Sequence, residues 1–128
     1  MRSSVRREEG ASAVELALTL PILIAVMLAI FDFGQAWLIK QNLSMCSREG
    51  ARLASSGRPV TNTEVDQRVS ACLAEANAAG TVLVTFTPAN LATARPGDQI
   101  IVQTTRNFPL VILPRTLALK GRTRMVKE

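Results

Sequence analysis

The N-terminal quarter of the chain contains one long apolar stretch. The segment Leu16–Phe31 has no charged side chain, and starting the stretch at Ala11 brings it to 21 residues. As an α-helix, 21 residues rise about 31 Å, close to the roughly 30 Å hydrocarbon thickness of a bilayer. We therefore predict a membrane-spanning segment over about residues 11–31. Three basic residues precede it and favour a cytoplasmic N-terminus: Arg2, Arg6 and Arg7.

Beyond this stretch, apolar residues recur at spacings of three and four, which is the pattern of an amphipathic helix. They are Ala36, Ile39, Leu43, Cys46, Gly50, Leu53 and Ala54. Gly57 and Pro59 follow, and this pair is typical of a helix end. The pattern predicts one continuous helix over residues 11–56, roughly 70 Å long, with Trp37 at the far membrane interface.

The pattern of residues 57–128 predicts a small extracytoplasmic domain. Thr61 is a candidate N-cap for a second helix over about residues 64–78. Alternating apolar and polar residues predict strands at 82–87, 100–105 and 116–126. The apolar segment Phe108–Pro114 fits either a loop that completes the core or a contact with the membrane surface or a partner.

The predicted fold class is α+β. A long N-terminal membrane-spanning helix continues into a small globular part, where a second helix packs on an antiparallel sheet of about three to four strands.

Composition narrows the class of function. The chain has no His, and only 4% of its residues are aromatic. Without His, Ser-His-Asp and Cys-His catalysis are excluded and most transition-metal sites lack their usual ligand. The carboxylates form no recognisable catalytic set, so we predict a non-enzymatic protein with no catalytic, metal-binding or cofactor-binding residues and no cofactor. The net charge is +5, but the basic residues are scattered, so we expect no nucleic-acid partner.

Glu15 is the one carboxylate inside the apolar stretch, and two interpretations are open. At headgroup level it stays hydrated, whereas at bilayer depth a charged side chain costs about 2.5–3.5 kcal/mol and needs a counter-ion. Gly10 ends a short basic segment, MRSSVRREEG. Cleavage between Gly10 and Ala11 would create an α-amine one helical turn from Glu15, and such an amine on a neighbouring subunit would neutralise the carboxylate.

Two further groups of residues each allow two interpretations. Cys46 and Cys72 are the only cysteines; they form either a disulfide, which suits an oxidising compartment, or two buried free thiols. Arg48, Glu49 and Arg52 lie near one another on the predicted helix. They form either a solvated face or an intersubunit salt-bridge site.

A basic leader that ends in Gly, followed by four residues and Glu at the start of an apolar helix, resembles the processing site of type IV pilin-like proteins. The segments Asp32-Phe33-Gly34-Gln35-Ala36 and Ser47-Arg48-Glu49-Gly50-Ala51-Arg52 resemble recurring helix segments of TadE-like proteins, as does Pro96-Gly97-Asp98 before a strand. TadE-like proteins are pseudopilins, or minor pilins, of the tight-adherence (Tad, type IVc) pilus system.

The resemblance implies that residues 1–10 are a leader removed by a prepilin peptidase after Gly10. It also implies a single-pass location in the bacterial inner membrane, with the C-terminal domain in the periplasm, and it allows incorporation of the protein into the pilus. The implied partners are the peptidase, other pilins and minor pilins, the inner-membrane assembly platform and membrane lipid. The predicted function is therefore that of a structural minor pilin in pilus assembly. The alternative is an unprocessed, signal-anchored extracytoplasmic binding module.

Overall fold

The computed structural model describes the backbone of residues 2–76, 80–111 and 114–128, and the side chains from Gly10 onward within those ranges. The elements in chain order are the helices α1 (Arg2–Ser55) and α2 (Asn62–Glu75) and the strands β1 (Val82–Thr87), β2 (Gln99–Pro109) and β3 (Thr116–Val126). A short 3-10 helix, Leu91–Thr93, lies between β1 and β2. This is the predicted α+β architecture, with a three-stranded sheet in the described part of the chain.

Helix α1 is the element on which the rest of the described chain packs. It begins at Arg2 rather than near Ala11, so the predicted leader is part of the same helix and Gly10 does not interrupt it. Pro21 also lies inside the helix, although proline removes one intrahelical hydrogen bond. The helix ends at Ser55, just before Gly57 and Pro59, the pair from which its end was predicted.

The sheet is antiparallel, in the order β1-β2-β3. Alternate residues of β2 face α1, among them Ile100, Val102 and Thr104, which are all fully buried. The opposite face of β3 is exposed and basic. It carries Lys120, Arg122 and Arg124.

Strand β2 is longer than predicted. Phe108 and Pro109 belong to it and pair with Leu117 and Thr116 of β3, so the prediction of a loop starting at Phe108 is wrong for these two residues. The physical reason is packing, because Phe108 is only 7% exposed and joins the core. Of the same predicted segment, Ile112 and Leu113 lie outside the described residues.

Helix α2 starts where its cap was predicted. The Thr61 hydroxyl accepts a hydrogen bond from the Glu64 backbone N–H at 3.3 Å, which satisfies one of the free donors of the first turn. The helix ends at Glu75. Residues 77–79, in which its predicted end at 78 falls, lie outside the described residues.

The core lies where α1, α2 and the sheet meet. Its fully buried side chains include Leu43, Cys46, Val65, Val69, Ile100 and Val102. Two glycines permit α1 to approach α2 and β3 closely. A Cβ at Gly50 would lie 2.5 Å from Val69 Cγ2 of α2, and a Cβ at Gly121 of β3 would lie 2.5 Å from the Leu43 carbonyl carbon. The globular domain is therefore packed directly on the C-terminal half of α1.

Candidate functional site

Residues 10–31 of α1 form an exposed apolar segment of helix, which we call the apolar rod. Every residue from Gly10 to Phe31 is exposed, and among them Leu18 is 70% and Ile22 is 67% exposed. Length and composition make this part of the helix long and apolar enough to cross a membrane. An exposed apolar surface of this size in water is strongly unfavourable. The half-helix therefore needs lipid, or other apolar helices, around it.

The predicted processing site lies at the start of this rod. Gly10, Ala11 and Glu15 are all exposed on the helix, and a Cβ at Gly10 would meet nothing within 4 Å. Glu15 lies one turn after Ala11 and forms no ion pair with any side chain that the structure describes. The carboxylate is thus presented outward from the helix, to whatever surrounds it.

In the C-terminal half of α1, Glu49 is held by two arginines. The Arg68 guanidinium on α2 donates to Glu49 Oε1 from Nη2 at 3.0 Å and from Nε at 3.3 Å, and Arg52 Nη2 lies 3.6 Å from the same oxygen. Hydrogen bonding from Arg68, with the charge of Arg52, lowers the pKa of Glu49 despite partial burial. Glu49 therefore ties α1 to α2 within one chain.

Arg48 lies elsewhere on the same helix. It is exposed and lines a shallow groove with Trp37 and Met45. The Trp37 ring stacks on Phe33 with centroids 6.2 Å apart, and Lys40 Nζ lies 6.0 Å from its centroid. The structure thus separates Arg48 from the Glu49–Arg52 pair, with which it was grouped on sequence spacing.

The two cysteines lie on facing helices. Cys46 of α1 and Cys72 of α2 are joined, with an S–S distance of 2.07 Å and Cα atoms 5.6 Å apart. These values are ordinary for a disulfide. The bond and the Glu49–Arg68 pair both fix α2 against α1.

Asp32 is a residue whose role sequence reasoning missed. It follows the apolar stretch directly, yet it is only 3% exposed, and its Oδ2 accepts a hydrogen bond from the Val111 backbone N–H at 2.8 Å. The signal was a charged residue at the end of an apolar run. Its buried location depends on the turn between β2 and β3, which no local pattern places beside it.

The described residues contain no group of three or more His, Cys, Asp or Glu side chains that would hold a metal ion. The arrangement presents an apolar rod with one carboxylate and attaches a cross-linked domain to the other end of the same helix.

Comparison with known families bears on this rod and its junction with the domain. Residues 10–52 match the family of TadE-like proteins. The TadE-like segment starts at Gly10, includes Glu15 and Asp32, and stops within α1 before α2 begins. No curated protein and no solved structure matches the chain significantly.

The matched segment covers 43 of the 128 residues, so the similarity to TadE-like proteins concerns α1. One N-terminal apolar helix fits a single-pass membrane protein.

Proposed function

We propose that the chain is a minor pilin or pseudopilin that acts in assembly of a Tad pilus. It resides in the inner membrane through α1, is processed by a prepilin peptidase after Gly10, and then packs with other pilins on the assembly platform. The observation that carries the proposal is one continuous helix with two halves. Its N-terminal half is exposed throughout residues 10–31 and bears Glu15, its C-terminal half holds the folded domain, and the TadE-like match spans parts of both halves.

Two independent features support an orientation with the N-terminus in the cytoplasm. Basic residues lie in front of the membrane segment and satisfy the positive-inside rule. On the other side of the segment, Cys46 and Cys72 are disulfide-bonded, and disulfides persist in the oxidising periplasm rather than in the cytosol. Both features support a location of the globular domain outside the cytoplasm.

Glu15 has a role in this mechanism that follows from its position. In hydrocarbon the charged carboxylate costs about 2.5–3.5 kcal/mol, and a cation at ion-pair distance offsets much of that because the local dielectric is low. Removal of residues 1–10 creates a cation of this kind, the α-amine of Ala11. A neighbouring subunit that places its amine against Glu15 is thereby held at one axial position, so Glu15 sets the register between helices.

The processing step is tested by the mass of the mature protein. We expect that cells with the peptidase yield a chain that lacks Met1–Gly10, and that Gly10→Leu yields the intact chain while membrane insertion is unchanged. Because a side chain at Gly10 meets open space, loss of cleavage reports on recognition by the peptidase and not on folding. Gly34→Leu is the matched control, since Gly34 is also an exposed α1 glycine with nothing within 4 Å; its leader should be removed normally.

An intact mass for the wild-type chain in cells that assemble pili would overturn processing. It would favour the alternative, a signal-anchored binding module that holds the domain at the membrane.

The register role is tested by Glu15→Gln, which keeps the size of the side chain and removes its charge. We expect normal insertion and cleavage with loss of assembly, measured as pili sheared from the cell surface. Thr19→Val is the control, because among the described residues the Thr19 hydroxyl bonds only to the Leu16 carbonyl of its own helix, at 3.2 Å. Normal piliation by the Glu15→Gln variant would refute the register mechanism without affecting the processing result.

An intersubunit contact through the Arg48–Arg52 region is also part of the proposal. Glu49 is already engaged by Arg68 within the chain, whereas Arg48 is exposed and forms no ion pair with the described residues. We therefore propose that Arg48 makes this contact and that its partner is an acidic group on a neighbouring subunit. Arg48→Glu should reduce piliation, while the same charge reversal at exposed Arg122 on the sheet should not; equal effects of both would contradict the assignment.

A further inference from the structure

The connection between β2 and β3 contacts α1 at Asp32. Asp32 accepts a hydrogen bond from the Val111 backbone N–H at 2.8 Å, and the turn is closed by the Leu110 N–H, which donates to the Arg115 carbonyl at 3.1 Å. Asp32 is buried although it lies on the helix directly after a wholly exposed segment. Along the length of α1, Val111 therefore lies beside Asp32.

Helix geometry sets that location relative to a bilayer. From Ala11 to Phe31 the helix rises about 31 Å, which accounts for the roughly 30 Å of hydrocarbon. Asp32 is the next residue, so it lies at the border between hydrocarbon and headgroups. Trp37, 53% exposed, lies about 8 Å further along the helix, at the depth where Trp is enriched in membrane proteins.

The chemistry of the turn suits the same border. Val111 is 66% exposed, and no charged residue occurs between Arg106 and Arg115. Phe31 and Phe33, the neighbours of Asp32 in sequence, are 58% and 69% exposed. Arg115, which is exposed at the end of the turn, is a side chain of the kind that binds lipid phosphate. An exposed apolar residue, Val111, and a cation, Arg115, thus belong to a connection that contacts α1 beside its exposed aromatic residues.

We propose that Val111 and Arg115, two described residues of the connection between β2 and β3, lie in the interfacial layer of the bilayer, with Val111 at the level of the upper acyl chains and Arg115 at the headgroup phosphates. Asp32 acts as the clamp: its hydrogen bond to the turn holds the sheet at this depth and fixes the tilt of the domain on the membrane. The proposal requires that α1 crosses the membrane. It does not require leader removal or pilus assembly, so its failure is separable from theirs.

The experiment places a fluorescent probe on the turn in the full chain, reconstituted in vesicles of phosphatidylethanolamine and phosphatidylglycerol. Val111→Cys provides one free thiol, because Cys46 and Cys72 are bonded to each other, and it is labelled with an environment-sensitive nitrobenzoxadiazole dye. We expect blue-shifted emission and quenching by lipids that carry a nitroxide near the headgroup. Thr93→Cys is the control, since Thr93 is an exposed residue of the connection at the opposite end of the sheet; its probe should emit as in water and not be quenched.

A Val111 probe that emits as in water would overturn the proposal. So would blue-shifted emission without nitroxide quenching, because that result indicates a protein neighbour and not lipid. The clamp is tested separately by Asp32→Ala, which we expect to reduce the quenching toward the level of the Thr93 probe. Asp32→Asn keeps an oxygen acceptor for the Val111 N–H and should retain the quenching. Full quenching in the Asp32→Ala variant would overturn the clamp.

Discussion

Gly121 offers the sharpest test of how the domain is attached to α1. It faces the helix from the middle of β3, and a Cβ built on it would lie 2.5 Å from the Leu43 carbonyl carbon, 2.6 Å from the Leu43 oxygen and 2.7 Å from the Ser44 nitrogen. These are backbone atoms of α1, which no change of rotamer moves. Gly121→Ala therefore forces the sheet and the helix apart.

The size of the effect follows from the distances. Ordinary van der Waals contact begins at 3.4 Å, so β3 must withdraw by about 0.9 Å, and overpacking of this kind costs about 1–3 kcal/mol. Two hydrogen bonds between the sheet and α1 lengthen with it: Thr104 Oγ1 to the Leu43 carbonyl, 3.1 Å, and Ser47 Oγ to Thr123 Oγ1, 2.8 Å. Each is worth about 1 kcal/mol. We expect the free energy of unfolding to fall by about 3 kcal/mol or more, a large part of the 5–15 kcal/mol typical of a domain.

The assay is urea unfolding of the full chain in detergent micelles, followed by far-ultraviolet circular dichroism. Gly34→Ala is the matched control, because a Cβ at this exposed helical glycine meets nothing within 4 Å; it should not lower the domain's free energy of unfolding, since Ala also has the higher helix propensity. A Gly121→Ala variant within about 0.5 kcal/mol of wild type, the range of ordinary surface substitutions, would refute the close packing of β3 on α1.

Three further predictions use the same assay. Replacing Cys46 and Cys72 by Ala should lower the free energy of unfolding by about 3 kcal/mol, because the bond closes a loop of 26 residues; an unchanged midpoint in both oxidising and reducing buffer would contradict this. Thr104→Val should cost about 1–2 kcal/mol, because it leaves a buried carbonyl of α1 without its hydroxyl donor, and a loss below the error of the fit would count against that bond. Folding lowers the pKa of Glu49, chiefly through Arg68, so the pair stabilises the fold above the ordinary range of the carboxyl, and that stabilisation is lost as the pH falls through the lowered pKa. Glu49→Gln should therefore cost about 0.5 kcal/mol at neutral pH, as partly exposed pairs do, and nothing once wild-type Glu49 is protonated; a cost that persists in acid would exclude an electrostatic origin.

Local patterns were sufficient for the elements of the fold. The 16 uncharged residues before Asp32, the three-and-four spacing after it and the alternation in β1, β2 and β3 each report burial on one side of a short segment. This is information that neighbouring residues carry by themselves. The N-cap at Thr61 was found for the same reason, since capping involves residues only a few positions apart.

Long-range contacts were not predictable in this way. The spacing of Arg48, Glu49 and Arg52 grouped them on one surface, but the partner that holds Glu49 is Arg68 on another helix, and only the packing of α2 on α1 brings it there. Likewise, the alternation of β2 beyond Thr105 is interrupted by Asn107 and Pro109. Strand pairing with β3 was needed to extend β2 through Phe108.

The amino-acid sequence by itself thus determined that this protein is a long helix with an apolar, carboxylate-bearing half, followed by a small α+β domain, because periodicity and charge act within a single element. Only the tertiary structure decided where the domain lies on the helix. The approach of Gly121 to Leu43 and the hydrogen bond of Asp32 to Val111 join residues more than 75 positions apart, and contacts of that range exist only once the chain has folded back on itself.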